Sequence, residues 1–221
     1  MEQSPIIRAR NIKKQYGSLQ VLKGIDLDVY TSEIVCITGE SGAGKSTLLH
    51  ILGTLDKPDT GDVYCSETNI SALSSNRLAD FRNKHVGFVF QFHQLLPEFT
   101  AMENACIPAW VSGIGKKEAE EKAMPLFSLL GLTDRVHHKP AELSGGEQQR
   151  VAIARALINN PAVVFADEPS GNLDSKNAKI LHDYFLRLRD ELGQTFIIVT
   201  HNPELAALAD RNLKMVDGQF A

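Results

Sequence analysis

The stretch that most restricts this chain is "IVCITGESGAGKSTLLHILGTL" (34–55), where an apolar run, a glycine-rich turn and a helical pattern follow one another directly. Glycines in such a turn let backbone N–H groups converge on an anion, and the helix behind them adds its positive N-terminal end. Lys45 supplies a point charge suited to β- and γ-phosphates, and the Ser46 hydroxyl is a ligand for Mg²⁺. The turn Gly39, Ser41, Gly42, Ala43, Gly44, Lys45, Ser46 and Thr47 is therefore read as a nucleotide-binding loop between a strand and a helix.

Other apolar runs extend the pattern. "VGFVF" (86–90), "AVVFA" (162–166) and "TFIIVT" (195–200) read as strands, and most are apolar throughout, as strands covered on both faces of a parallel sheet must be. Helical patterns fall between them, at "KKEAEEKAMPLFSLLGL" and "KNAKILHDYFLRLRDEL", so the chain is predicted to be a layered α/β protein. Residues 92–158 contain helix formers and loops but no convincing strand. They are read as a helical lobe inserted into an α/β core made of 1–91 and 159–221, the whole being a single domain. "SLQVLKGIDLDVY" (18–30) and "RNLKMVDGQF" (211–220) are predicted antiparallel additions.

The run "AVVFADEPSGNLD" (162–174) ends a strand in two adjacent acids, whose side chains point in different directions. Asp167 then suits a magnesium shell, while Glu168 faces a γ-phosphate and its attacking water as base or water-orienting group. Gln91 and His201 each follow an apolar strand, where ligands sit in open α/β sheets. Either could instead be a structural hydrogen-bonder. Tyr16 could stack on a purine or merely cover the sheet edge.

A second glycine-rich site lies far from the first. In "LSGGEQQR" (143–150), Ser144 and Glu147 have capping-box spacing ahead of a helix running to Pro161. The cap needs only Ser144 and Glu147. Gly145 and Gly146 weaken the helix by about 1 kcal/mol each relative to Ala, which makes sense where a phosphate approaches the backbone at a positive helix end. The first loop already fills one face of a triphosphate, so this site should meet another nucleotide, or the open side of one held by a second copy.

A chain of 221 residues with a net charge of −4 has no global basic field, and no nucleic-acid partner is expected. The N-terminus lacks a signal-peptide core, and no apolar run approaches the ~20 residues that span a bilayer, so any membrane-spanning part is expected in another chain. Cys36, Cys65 and Cys106 lack metal or disulfide spacing and are read as buried or incidental thiols.

Taken in order, Tyr16, "GESGAGKST", Gln91, "LSGGEQQR", "VVFADE", "SGNLD" and His201 resemble the ATP-binding-cassette ATPases over nearly the whole chain. The resemblance implies a P-loop NTPase core with a mostly parallel sheet, an N-terminal antiparallel portion and an inserted helical lobe. It implies ATP and Mg²⁺ as cofactors and a dimer in which Ser144, Gly145 and Gly146 of one copy close over ATP bound by the other. It further implies that Tyr16 stacks on adenine, Gln91 contacts Mg²⁺ and the lobe junction, Asp174 lies at the dimer seam, and His201 senses the γ-phosphate. More narrowly, "FRNKHVGFVFQFHQLLPEFTAMEN" (81–104) is similar to the branch of lipoprotein-releasing, macrolide-exporter and cell-division cassettes, and most like the lipoprotein-releasing ATPases. That likeness implies a peripheral subunit on the cytoplasmic face of a bacterial inner membrane, contacted by integral permease subunits around Phe92 to Asn104. Macrolide-type efflux and control of cell-wall hydrolases are the alternative tasks. Soluble cassettes acting on nucleic acid or ribosomes usually carry two cassettes or a long insertion in one chain, and this sequence has neither; a small-molecule kinase would leave "SGGEQQR" and His201 without use. Ala43 stands where the family more often has Ser, and Ser170 where it has Thr.

Overall fold

In a computed structural model that describes residues 4–221, the strands that are apolar throughout lie between two cores. The chain opens with β1 (Ile7–Tyr16), β2 (Leu19–Val29), β3 (Ile34–Gly39), α1 (Lys45–Leu52), β4 (Thr60–Cys65) and β5 (Thr68–Asn69). It continues with α2 (Ser75–His85), β6 (Val86–Phe90), α3 (Ala101–Val111), α4 (Lys116–Leu129) and α5 (Gly145–Leu157). It closes with β7 (Val163–Asp167), α6 (Ser175–Leu192), β8 (Thr195–Val199), α7 (Pro203–Leu208), β9 (Arg211–Val216) and β10 (Gln219–Phe220).

Six strands form the central sheet in the order β10-β9-β3-β8-β7-β6. Side chains alternate across it with the period of two that a strand imposes. Ile34, Cys36, Val164, Ala166, Phe196 and Ile198 enter one core, shared with α3, α4, α5 and α6. Val35, Ile37, Val163, Phe165, Ile197 and Val199 enter the other, under α1 and the smaller antiparallel sheet β2-β1-β4-β5. A polar residue in the middle of these strands would be buried on either face, and polar side chains are confined to their end regions, at Thr38, Asp167 and Thr195. Within the first core Phe185 of α6 meets Phe196 of β8 edge-on at 5.1 Å.

The N-terminal piece is antiparallel as predicted, with β2 paired to β1. The C-terminal piece is not. β9 runs parallel to β3, from Val35 opposite Arg211 to Gly39 opposite Met215, and only β10 turns back antiparallel on β9. α7 lies between β8 and β9, and a helical crossover returns the chain in the parallel sense.

Between β6 and β7 the described residues hold α3, α4 and α5 with two short 3-10 turns and no strand. α3 begins with a capping box of its own, Thr100 with Glu103. Asn104 is fully buried and ties down the preceding loop: its Oδ1 accepts from Leu96 N, and its Nδ2 donates to the carbonyls of Leu96, Phe99 and Thr100. Among the described residues no helix is long and apolar enough to cross a membrane, and Cys36, Cys65 and Cys106 are all buried free thiols.

Candidate active site

The turn from β3 into α1 needs glycine for two separate reasons. Gly39 has φ 148°, and a Cβ there would collide with the Met215 carbonyl of the neighbouring β9. Gly44 caps α1 with φ 100°, and a Cβ would lie 3.0 Å from the Val21 carbonyl of β2. Gly44 makes no side-chain cap bond and the first turn holds no acid, so the helix's free N–H groups keep their affinity for an anion. Lys45 folds over this turn, its Nζ donating to Gly39 O at 2.9 Å and Glu40 O at 2.8 Å.

The acids arrive from β7. Asp167 ends the strand, and its Oδ1 accepts from the Ser46 hydroxyl at 3.2 Å. Burial pushes the Asp167 carboxyl above the ordinary carboxylate range, against the opposing pull of Ser46, His50 and Lys45. Glu168 follows in the left-handed region at φ 46°, a conformation a non-glycine residue holds only where its surroundings enforce it. Here its N–H donates to Val199 O at 2.8 Å, and its own carbonyl accepts from Gly171 N at 3.0 Å. The twisted backbone brings the carboxylate under β8's end. His201 Nδ1 stands 2.8 Å from Oε1, while Oε2 accepts from His201 N at 3.2 Å and Thr200 Oγ1 at 3.3 Å.

Gln91 and Asn172 exchange hydrogen bonds. Gln91 Nε2 donates to Asn172 Oδ1 at 3.0 Å, and Asn172 Nδ2 donates to Gln91 O at 3.1 Å. Tyr16 is half exposed, its hydroxyl donating to Asp56 at 2.6 Å and its ring under Lys14 Nζ at 5.2 Å. A cleft of about 600 Å³ runs from Tyr16, Leu19 and Val21 along the loop to Gln91, Glu168 and His201. Ser41, Gly42, Gly44, Lys45, Ser46 and Thr47 line it, whereas Ala43 turns into the core beneath.

Ser144, Gly145, Gly146 and Asp174 do not line that cleft; the glycine pair instead faces the start of α6, Gly145 toward Leu173 and Gly146 toward Asn177, which Asp174 caps. The predicted capping box is present: Ser144 Oγ accepts from Glu147 N, and Ser144 N donates to Glu147 Oε2 at 2.8 Å. Arg135 Nε donates to the other Glu147 oxygen at 2.7 Å. Asp174 caps α6, accepting from Asn177 N at 2.8 Å and Asn177 Nδ2 at 2.7 Å. The glycine pair divides into two cases. A Cβ on Gly146 would sit 2.7 Å from Asn177 Oδ1, so close helix packing already demands glycine there. Gly145 has only Leu173 nearby, at 3.7 Å, and packing does not explain it.

The sequence reading passed over Thr200, Asn172 and Asp56, each of which holds a site residue by its side chain. Asn172 falls within "SGNLD" and Thr200 ends the apolar run "TFIIVT", but neither spacing marks a contact with Gln91 or Glu168, and Asp56 carries no local signal. Of the segment 92–104, Phe92 (68% exposed), Leu96 and Phe99 are open to solvent, while Asn104 is not.

The family model for ABC transporters matches residues 22–171. The chain is 61% identical over 213 residues, 96% of its length and 98% of the relative's, to the lipoprotein-releasing system ATP-binding protein LolD of Bacteroides thetaiotaomicron. It is 48% identical over 220 residues to LolD of Shewanella oneidensis, covering 98% of this chain and 96% of the relative. Among solved structures it is similar to a dimeric bacterial ABC transporter cassette, MJ0796, with a TM-score of 0.87 at 38% identity, covering 97% of this chain and 96% of the other. A post-hydrolysis dimer of the same cassette bound to ADP and Pi gives 0.87 at 37% identity, with the same coverage.

Proposed function

The chain belongs to the ABC transporter family, and from that premise we propose that it is the ATP-hydrolysing subunit of a bacterial inner-membrane complex that releases lipoproteins toward the outer membrane. The observation that carries this reading is 61% identity over 96% of the chain to a lipoprotein-releasing ATP-binding protein.

The chemistry follows from the cleft. On ATP entry, Lys45 exchanges the Gly39 and Glu40 carbonyls for phosphate oxygens, and the open N-terminus of α1 takes the remaining charge. Tyr16 packs at the adenine end. Glu168 orients the attacking water or takes its proton, and His201 holds the carboxylate beside the γ-phosphate. The residues fit a magnesium ion. Ser46 and Asp167 are hard oxygen donors in contact, and a cation would relieve the burial that Asp167 suffers. Ser46, Asp167 and Gln91 would hold it, and once bound it neutralises charge on the transferring phosphoryl group.

Ser144, Gly145, Gly146 and Asp174 lie off the cleft, where a second copy would bring its own nucleotide; the dimeric state of the similar cassette supports this. Residues 92–158 then act as a lobe that moves against the core formed by 1–91 and 159–221. A groove of about 450 Å³ edged by Arg82, Phe88, Phe90, Gln94, Pro108 and Val111, with exposed Phe92 between Phe90 and Gln94 in the chain, suits a helix end of a permease subunit on the cytoplasmic side.

Glu168→Gln should keep ATP binding, lose most turnover and accumulate as a dimer with Mg²⁺-ATP on size-exclusion chromatography. A monomer with normal turnover would overturn the assignment. Co-purification of the chain from membranes with permease subunits and bound lipoprotein tests the cargo, and a permease without lipoprotein would count against it.

A further inference from the structure

Gln149, in the second turn of α5, is fully buried, yet its Oε1 has no hydrogen-bond partner among the described residues. A buried unpaired acceptor costs stability that a leucine or methionine of similar volume would not incur. What the amide contributes is a pair of donors on one nitrogen. Nε2 donates to Phe90 O at 3.1 Å and to Pro169 O at 2.7 Å. Facing two carbonyls, only the NH₂ side of the group fits. Phe90 is the last residue of β6, immediately before Gln91, and Pro169 immediately follows the left-handed Glu168. The next bonds outward are the Gln91–Asn172 exchange. α5 also holds the chain after Gln91, where Arg155 donates to His93 O at 2.8 Å and Gln94 O at 2.7 Å.

We infer that Gln149 is a positioning residue for hydrolysis: its amide ties the helix that opens with Ser144 to the two strand ends carrying Gln91 and Glu168. A displacement of α5 therefore displaces the Glu168 carboxylate. This rests on the reading of Glu168 given above and names the group through which the lobe reaches it.

Gln149→Met keeps the volume and removes both donors. Turnover of the purified chain at saturating Mg²⁺-ATP should fall by about 10-fold or more, as a misplaced reacting group demands, while affinity for a fluorescent ATP analogue stays within about twofold. Gln149→Glu, which matches the shape but sets a carboxylate against two carbonyls, should behave alike. Wild-type turnover in either folded variant overturns the inference. So does a loss of nucleotide affinity as large as the loss of turnover, or failure of both variants to fold, since each marks a purely structural part. Glu168→Gln is run alongside. Full turnover in that variant defeats the reading of Glu168, whereas an inactive Glu168→Gln beside a normal Gln149→Met defeats the Gln149 inference alone.

Discussion

Glu147→Gln removes one charge from the start of α5 and nearly nothing else, so it isolates what the carboxylate contributes. In the native chain Glu147 accepts from Ser144 N and its hydroxyl and pairs with Arg135 at 2.7 Å, with its side chain 18% exposed. Burial alone would raise the carboxyl. The Ser144 bonds and the Arg135 guanidinium overcome this and bring it from 4.5 down to about 2. A shift of that size would be worth ~3 kcal/mol unscreened. Water at the exposed side of Arg135 and around the cap reduces this to about 1.5–2 kcal/mol. A depressed carboxyl stabilises the native state above its unfolded value, so the contribution is complete above about pH 4.5 and disappears as the pH falls through about 2. In urea at pH 7 the variant should unfold about 1 M earlier, taking an m-value of ~2 kcal/mol/M. The gap between the two proteins should narrow steadily from pH 5 toward pH 3. Equal midpoints at pH 7, or a gap unchanged down to pH 3, would refute the electrostatic account of this helix start.

Three further outcomes follow from the packing. Gly146→Ala places a methyl group 2.7 Å from Asn177 Oδ1 and should cost ~1–3 kcal/mol in a urea titration, whereas Gly145→Ala, whose methyl group meets only Leu173 at 3.7 Å, should be neutral or stabilise by up to ~1 kcal/mol. Burial pushes the thiols up to about 12 at Cys36 and about 11 at Cys65 and Cys106. Native protein at pH 8 should therefore resist iodoacetamide and react only after denaturation, as followed by mass spectrometry. Ser170→Ala removes the hydroxyl 3.1 Å from buried His182 Nε2 and should lower stability by ~1 kcal/mol by thermal melting.

The legible parts of the fold are those whose physics is local. β3, β6, β7 and β8 stand out because both faces of the sheet are covered, so an unbroken apolar run marks each one. β1 and β4 have no such mark: "IRARNIKKQY" and "TGDVYC" mix buried and exposed positions, with Arg8, Arg10 and Asp62 on the open side and Lys14 buried. The sense of β9 depends on the crossover through α7, which the composition of "RNLKMV" does not carry. The Thr100–Glu103 cap had the same spacing as Ser144–Glu147 and was readable. At the site, the glycines, Lys45 and Ser46 lie on one continuous segment and could be read directly. The contacts between Glu168 and His201 and between Gln91 and Asn172, and those of Gln149, join residues far apart in sequence, and only the assembled fold brings them together.

The central claim is that each ATP is held by Lys45 of one copy and Ser144 of the other. Mixing a Ser144→Arg protein with a Lys45→Ala protein tests it most directly, with ATP turnover as the readout. Neither variant should hydrolyse ATP by itself. In the mixed dimer one site regains both an intact Lys45 and an intact Ser144, so turnover should reappear on mixing. A mixture as inactive as its two parents, with mixed dimers demonstrably formed, would contradict the claim.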